Sequence, residues 1–177
     1  MVKQQILLLS LCFTCLFVSA ENINQELYQL YKDDQSERES GQYTFSDDSK
    51  RKAKVEAMLK NGLVKSAKDY FHAAIIFQHG TTPKDFKKAN YLALKSVELD
   101  PGDMAAKWLS CASEDRYLRS IGEPQIWGTQ FIKADSDSKW SLAPIDTTAV
   151  SDEERIKYGV PTLKELQEQL NLMNSKG

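Results

Sequence analysis

Two helix starts are written so strongly into this sequence that they divide it before any core is considered. Thr82-Pro83-Lys84-Asp85 sets a hydroxyl cap, a proline at the first helical position and an acid at the third, each suited to the amide groups left free where a helix begins. Asp100-Pro101-Gly102-Asp103 repeats the device. The spacing predicts one helix from Pro83 to about Leu99 and a second that runs to Ile121 and stops at Gly122.

Apolar periodicity supplies the remaining elements. It predicts a first helix from Ile23 to about Ser36 with Leu27, Leu30 and Tyr31 inward, and a polar flexible link over 41–49. A helix from Lys50 to Lys60 follows, ended by Asn61-Gly62, and then an apolar helix from about Val64 to Gln78 stopped by Gly80. Beyond Gly122 the texture becomes aromatic and β-leaning at Ile126 to Lys133 and Lys139 to Leu142, with Asp135-Ser136-Asp137-Ser138 as the turn. Ser151 with Glu154, and Thr162 with Glu165, cap two closing helices. The fold class expected is mainly α, a helical bundle with a short β-hairpin near residues 126–142.

The first twenty residues read as an export signal outside that domain. Lys3 is a positive start, Ile6 to Val18 is almost unbroken apolar chain, and Val18-Ser19-Ala20 places small residues where a signal peptidase cuts. A retained anchor is the rival reading, but spanning a bilayer takes roughly 20 apolar residues. Cleavage after Ala20 would remove Cys12 and Cys15, leaving Cys111 with no partner for a disulfide. Residues 21–177 then form one helical domain, secreted or periplasmic, with no stable membrane insertion. The 25 acidic residues against 23 basic ones, with no basic stripe, argue against nucleic acid as a partner.

Polar residues stand on faces that should be apolar. On the helix after Asp103, Met104, Trp108, Cys111, Ala112 and Leu118 form one stripe, and Asp115 and Arg119 fall inside it. They are four apart, so one reading is an internal ion pair along the helix. Gln78 likewise projects from the arc of Tyr70, Phe71, Ala74 and Phe77. His72 and His79 share the more polar side, roughly 10 Å apart along the axis, too far to bind one metal. His79 also suits a C-terminal cap, or an acid or base beside a carboxylate such as Asp115.

The helix pair from Asp69 to Pro101 resembles a tetratricopeptide hairpin through Tyr70, Ala74, Phe77, Ala89, Ser96 and Pro101, with a longer turn and no second copy. A wider resemblance lies in Gln78-His79, Asp115-Arg116 and Gly122-x-x-Gln125-x-x-Gly128-Thr129-Gln130. With Asp34-Gln35 and Arg38 before them and Asp152 to Arg155 and Gly159 after, these resemble a mainly bacterial family of domains named only as a domain of unknown function. Trp127 stands where that family often has tyrosine. The resemblance implies a polar pocket or a buried network, with Asp34, Gln35, Arg38, Gln78, Arg116, Gln125, Thr129 and Gln130 as ligand-binding candidates.

Three functional readings follow. As an enzyme, of which hydrolysis is the first class to test, the domain would use His79 as acid or base, Asp115 to orient it, and Arg116, Gln78 and Gln130 to hold an anionic or carbonyl substrate. No nucleophile elbow, phosphate loop or metal spacing names a reaction, and none calls for a metal or cofactor. As a non-catalytic tetratricopeptide-like module it would bind a peptide or protein, with Trp127 and Trp140 either as anchors or as a lid over the core. As a structural network, Asp115 would pair with Arg119 or Arg38 and Gln130 would satisfy backbone groups. The partner in the first reading is a small polar ligand.

Overall fold

The computed structural model describes residues 23–175; the stretch expected to be an export signal, with Cys12 and Cys15, lies outside the described residues. Among those residues the chain is mainly helical. Five helices come first, α1 (Gln25–Ser40), α2 (Phe45–Lys60), α3 (Ala67–Gln78), α4 (Pro83–Leu99) and α5 (Met104–Ser120). A two-stranded antiparallel sheet of β1 (Phe131–Ile132) and β2 (Ser141–Leu142) follows, and α6 (Asp152–Lys157) and α7 (Leu163–Ser175) close the chain.

The expected boundaries of α4 are found, for the reasons the sequence supplies, whereas α5 opens at Met104 rather than Pro101, because Asp103 and not Asp100 is its cap and Asp100 closes α4 instead. Thr82 and Asp85 form a reciprocal capping box with Pro83 in the first turn, and Asp103 accepts from the amides of Ala105 and Ala106. The link expected over 41–49 is shorter than that. Helix α2 begins at Phe45, because the Thr44 side chain accepts from the Asp47 amide and the following acids sit in its first turn. Residues that look like a polar linker are the cap.

Helices α3, α4 and α5 run antiparallel in succession. Ser96 Oγ near the end of α4 donates to the Ala67 carbonyl at the start of α3, 2.8 Å away, and Asn90 Nδ2 donates to the Ser110 carbonyl on α5 at 2.9 Å. Helix α1 lies parallel to α3. The Asn24 amide at its start donates to Asp69 Oδ1 in the first turn of α3, and Asp34 near its end meets His79 just past α3. The core between them is Leu27, Val55, Met58, Ile76, Phe77, Leu92 and Leu109, with Ala73, Ala74 and Ala89 letting the helices approach closely. His72 belongs to this packed side rather than to a polar one: it is buried and its ring stacks on Tyr31 at 4.4 Å.

A second, smaller core joins the C-terminal part to α5. Trp127 packs there with Cys111, Val150 and Val160, and its ring lies 5.2 Å from Tyr158. Trp127 is thus a buried lid, and its indole N–H donates to Glu114. Burial pushes the Cys111 thiol far above its ordinary range, which leaves it inert as a nucleophile. No helix among the described residues is long and apolar enough to cross a membrane.

Gly128 shows how tightly this second core is fitted. Its φ of +84° is a left-handed value, and an added Cβ would lie 2.5 Å from Leu166 Cδ1. Gly128→Ala is expected to lower stability by about 2 kcal/mol, from backbone strain and overpacking together. Pairing it with Leu166→Ala should leave the strain, so the urea midpoint should not recover to the parent value.

Candidate functional site

Because α1, α3 and α5 are parallel, their C-terminal ends face the same way, and each carries the polar residues singled out in the sequence. Helix C-termini present unpaired carbonyls and the negative end of the helix dipole, a setting that favours cations. Arg38 ends α1, His79 caps α3, and Arg116 and Arg119 lie in the last turns of α5.

His79 is paired with Asp34, and this corrects the expectation that Asp115 orients it. Its Nδ1 lies 2.8 Å from Asp34 Oδ2. A carboxylate only accepts, so Nδ1 carries the proton shared with Asp34. Asp34 is 1% exposed and also accepts from Gln35 Nε2 at 2.8 Å. Arg38 and Arg51 each approach its other oxygen at 3.7 Å, while Arg38 binds Asp48 at 2.7 Å and Arg51 binds Glu37 at 2.9 Å. Burial alone would raise the Asp34 pKa, but the His79 contact, Gln35 and Arg38 outweigh it and hold the carboxyl below its usual range. His79 itself borders a cavity of about 220 Å3 formed with Phe45, Asp48, Ser49, Lys52 and Thr81.

Arg116 has a different environment. It is half-buried, its Nε is shielded from solvent, and it has no hydrogen-bond or ion-pair partner among the described residues. Burial first, then the neighbouring charges of Arg119 and Arg38, push its pKa below the ordinary guanidinium value. It lines a recess of about 230 Å3 with Phe86, Arg119, Ser120 and Gln130. Gln78 is 5% exposed, and its Oε1 is buried without a partner. Arg119 does not form the expected pair with Asp115; it stands at the edge of this recess.

Asp115 is occupied elsewhere. It is fully buried and accepts four hydrogen bonds, from the amides of Ile126, Trp127 and Thr129 at 2.9 Å each and from the Thr129 hydroxyl at 2.7 Å. Gln125, expected among the ligand-binding groups, is fully buried as well. Its Nε2 donates to the carbonyls of Gln130 and Ala143, and its Oε1 accepts from the Gln130 amide. Arg155 closes the knot by donating to the carbonyls of Trp127 and Ile126. Asp115, Gln125 and Thr129 therefore shape the loop, whereas Gln130 is the one residue of the Gly-Thr-Gln block whose side chain borders the recess.

The structure thus places Asp34, Gln35, Arg38 and His79 in one network and Arg116 with Gln130 in an adjacent recess, with Arg38 close enough to Arg116 for their charges to interact. Phe86, Ser120, Asp48 and Arg51 join these sets although nothing in their local sequence marks them. Among the described residues no group of three or more His, Cys, Asp or Glu is placed to hold a metal ion. Comparison with known protein families, curated proteins and solved structures returned no match.

The lowered Asp34 pKa has a sign that can be measured. A depressed folded-state value means its stabilisation is present above the unfolded carboxyl range and is lost as pH falls through the folded value. Stability should drop as the solution is acidified from about pH 4 downwards. Asp34→Asn should flatten that acid limb in a pH series of chemical unfolding, while lowering stability near neutrality.

Proposed function

We propose that this domain is the ligand-binding part of an exported protein and holds a small anionic, polar ligand where α1, α3 and α5 end. The observation that carries this reading is Arg116, a half-buried cation beside Arg119 and Arg38 with no acid assigned to it. Every acid of the neighbouring network, Asp34, Glu37 and Asp48, is already engaged by Arg38, Arg51 or His79. An anion entering the recess would meet the guanidinium groups of Arg116 and Arg119, which have no acidic partner among the described residues, and it would have to outweigh the unfavourable field of the helix end.

Binding is favoured over hydrolysis because the groups that an acid–base mechanism would need are divided. His79 borders one cavity, Gln130 and Arg116 border another, and Asp115 is buried in the loop. A catalytic set needs its proton-transfer group within hydrogen-bond reach of the groups that hold the substrate.

A cation kept for a ligand weakens the ligand-free fold. Arg116→Met should therefore raise stability by about 1 kcal/mol, read as a rise of roughly 2 to 4 °C in thermal midpoint in low-salt buffer. A clear fall in the midpoint would instead make Arg116 a structural residue and remove the basis of this reading.

A further inference from the structure

The polar groups around the Arg116 recess are not free to present either end. Asp115 is a carboxylate with only acceptor atoms, so the Thr129 hydroxyl must donate to it across 2.7 Å. With its proton committed, Thr129 Oγ1 accepts from Gln130, whose Nε2 lies 2.9 Å away. The Gln130 amide thus turns one N–H to Thr129, and its carbonyl oxygen, which has no partner among the described residues, is the acceptor it offers the recess. The second polar wall residue is constrained in the same sense. The Ser120 hydroxyl donates to the Tyr117 carbonyl at 2.6 Å, so towards the recess it can only accept.

The recess therefore joins two guanidinium groups, which only donate, to two oxygens left as acceptors, Gln130 Oε1 and Ser120 Oγ. We infer that it selects an anion that also carries an O–H or N–H donor, such as a hydrogen phosphate or a hydroxy-carboxylate, over anions that can only accept. An accept-only anion would satisfy Arg116 and Arg119 but set its lone pairs against those of Gln130 and Ser120, whereas a donor-bearing anion would pair with them. Sites built to pair with a ligand hydroxyl reject the analogue that lacks it, for this reason. Phe86 forms the remaining wall and suits the carbon skeleton of an organic ligand. Asp115 acts here as a positioning residue through Thr129, without touching the ligand.

This inference rests on the anion-binding reading above, and two anions of equal charge and similar shape separate the two. Calorimetric titration of the full chain with inorganic phosphate and with sulfate, at a pH where both are dianions and at matched ionic strength, is the test. Phosphate carries one O–H and sulfate carries none. Phosphate is expected to bind about tenfold more tightly, the value of one well-made hydrogen bond to a charged ligand. Glycolate against acetate, run in parallel, distinguishes a carboxylate from a phosphoryl source by which donor-bearing anion binds more tightly.

Equal binding within both pairs would overturn the donor requirement and leave the anion site standing. Binding of none of the four would overturn both. Ser120→Ala, at an exposed position, is expected to narrow the phosphate preference by several fold. Gln130→Met is expected to abolish it while both anions still bind. A preference unchanged in both variants would contradict the assignment of these two oxygens.

Discussion

The carboxylate of Asp115, sunk in the last turns of α5, is the interaction on which the C-terminal half of this domain depends. Its two oxygens accept three backbone amides and a hydroxyl from residues 126–129. Arg155, equally buried, takes the carbonyls of Ile126 and Trp127 from the other side. Two successive residues, Ile126 and Trp127, thus give their N–H groups to a buried acid and their C=O groups to a buried base. Neither charge is isolated, since each is satisfied by directed hydrogen bonds and lies in the other's field. The arrangement works as an ion pair with the backbone as its bridge.

Fold and site are connected through that bridge. Pinning residues 126–129 sets Trp127 over the small core with Cys111, Val150 and Val160, and starts the strand pairing of Phe131 with Leu142. It also delivers Gln130 to the recess beside Arg116 in one amide orientation. The cations around it come from a different source, the parallel ends of α1, α3 and α5. One half of the recess is therefore built by helix packing and the other by a loop fastened from beneath.

Capping chemistry made the start of α4 and the breaks on either side of it legible, because a cap is written within four residues. The same chemistry reads as a linker at Thr44 to Asp48, because the one apolar residue of that first turn, Phe45, is exposed and marks no inward face. The wheel of α5 showed that Asp115 is buried, but its partners are backbone amides, which carry no residue identity. Arg119, the basic residue four positions on and one turn along the helix, therefore looked like the answer. The pairing of Asp34 with His79 was illegible for another reason. It needs α1 to dock parallel to α3, and no local pattern in either helix specifies that direction. Gln78 was legible as a polar residue on an apolar arc, and it is buried with an unpartnered oxygen.

The most direct test of this account is the thermal unfolding of the chain beside its Asp115→Asn variant, at matched pH and concentration. Asparagine keeps the shape but places an NH2 against amide donors and leaves Arg155 without its countercharge. The account predicts a loss of about 3 kcal/mol or more, a fall of roughly 6 to 12 °C in midpoint. An unchanged or higher midpoint would contradict it, because the carboxylate would then not be what holds the loop to the helices.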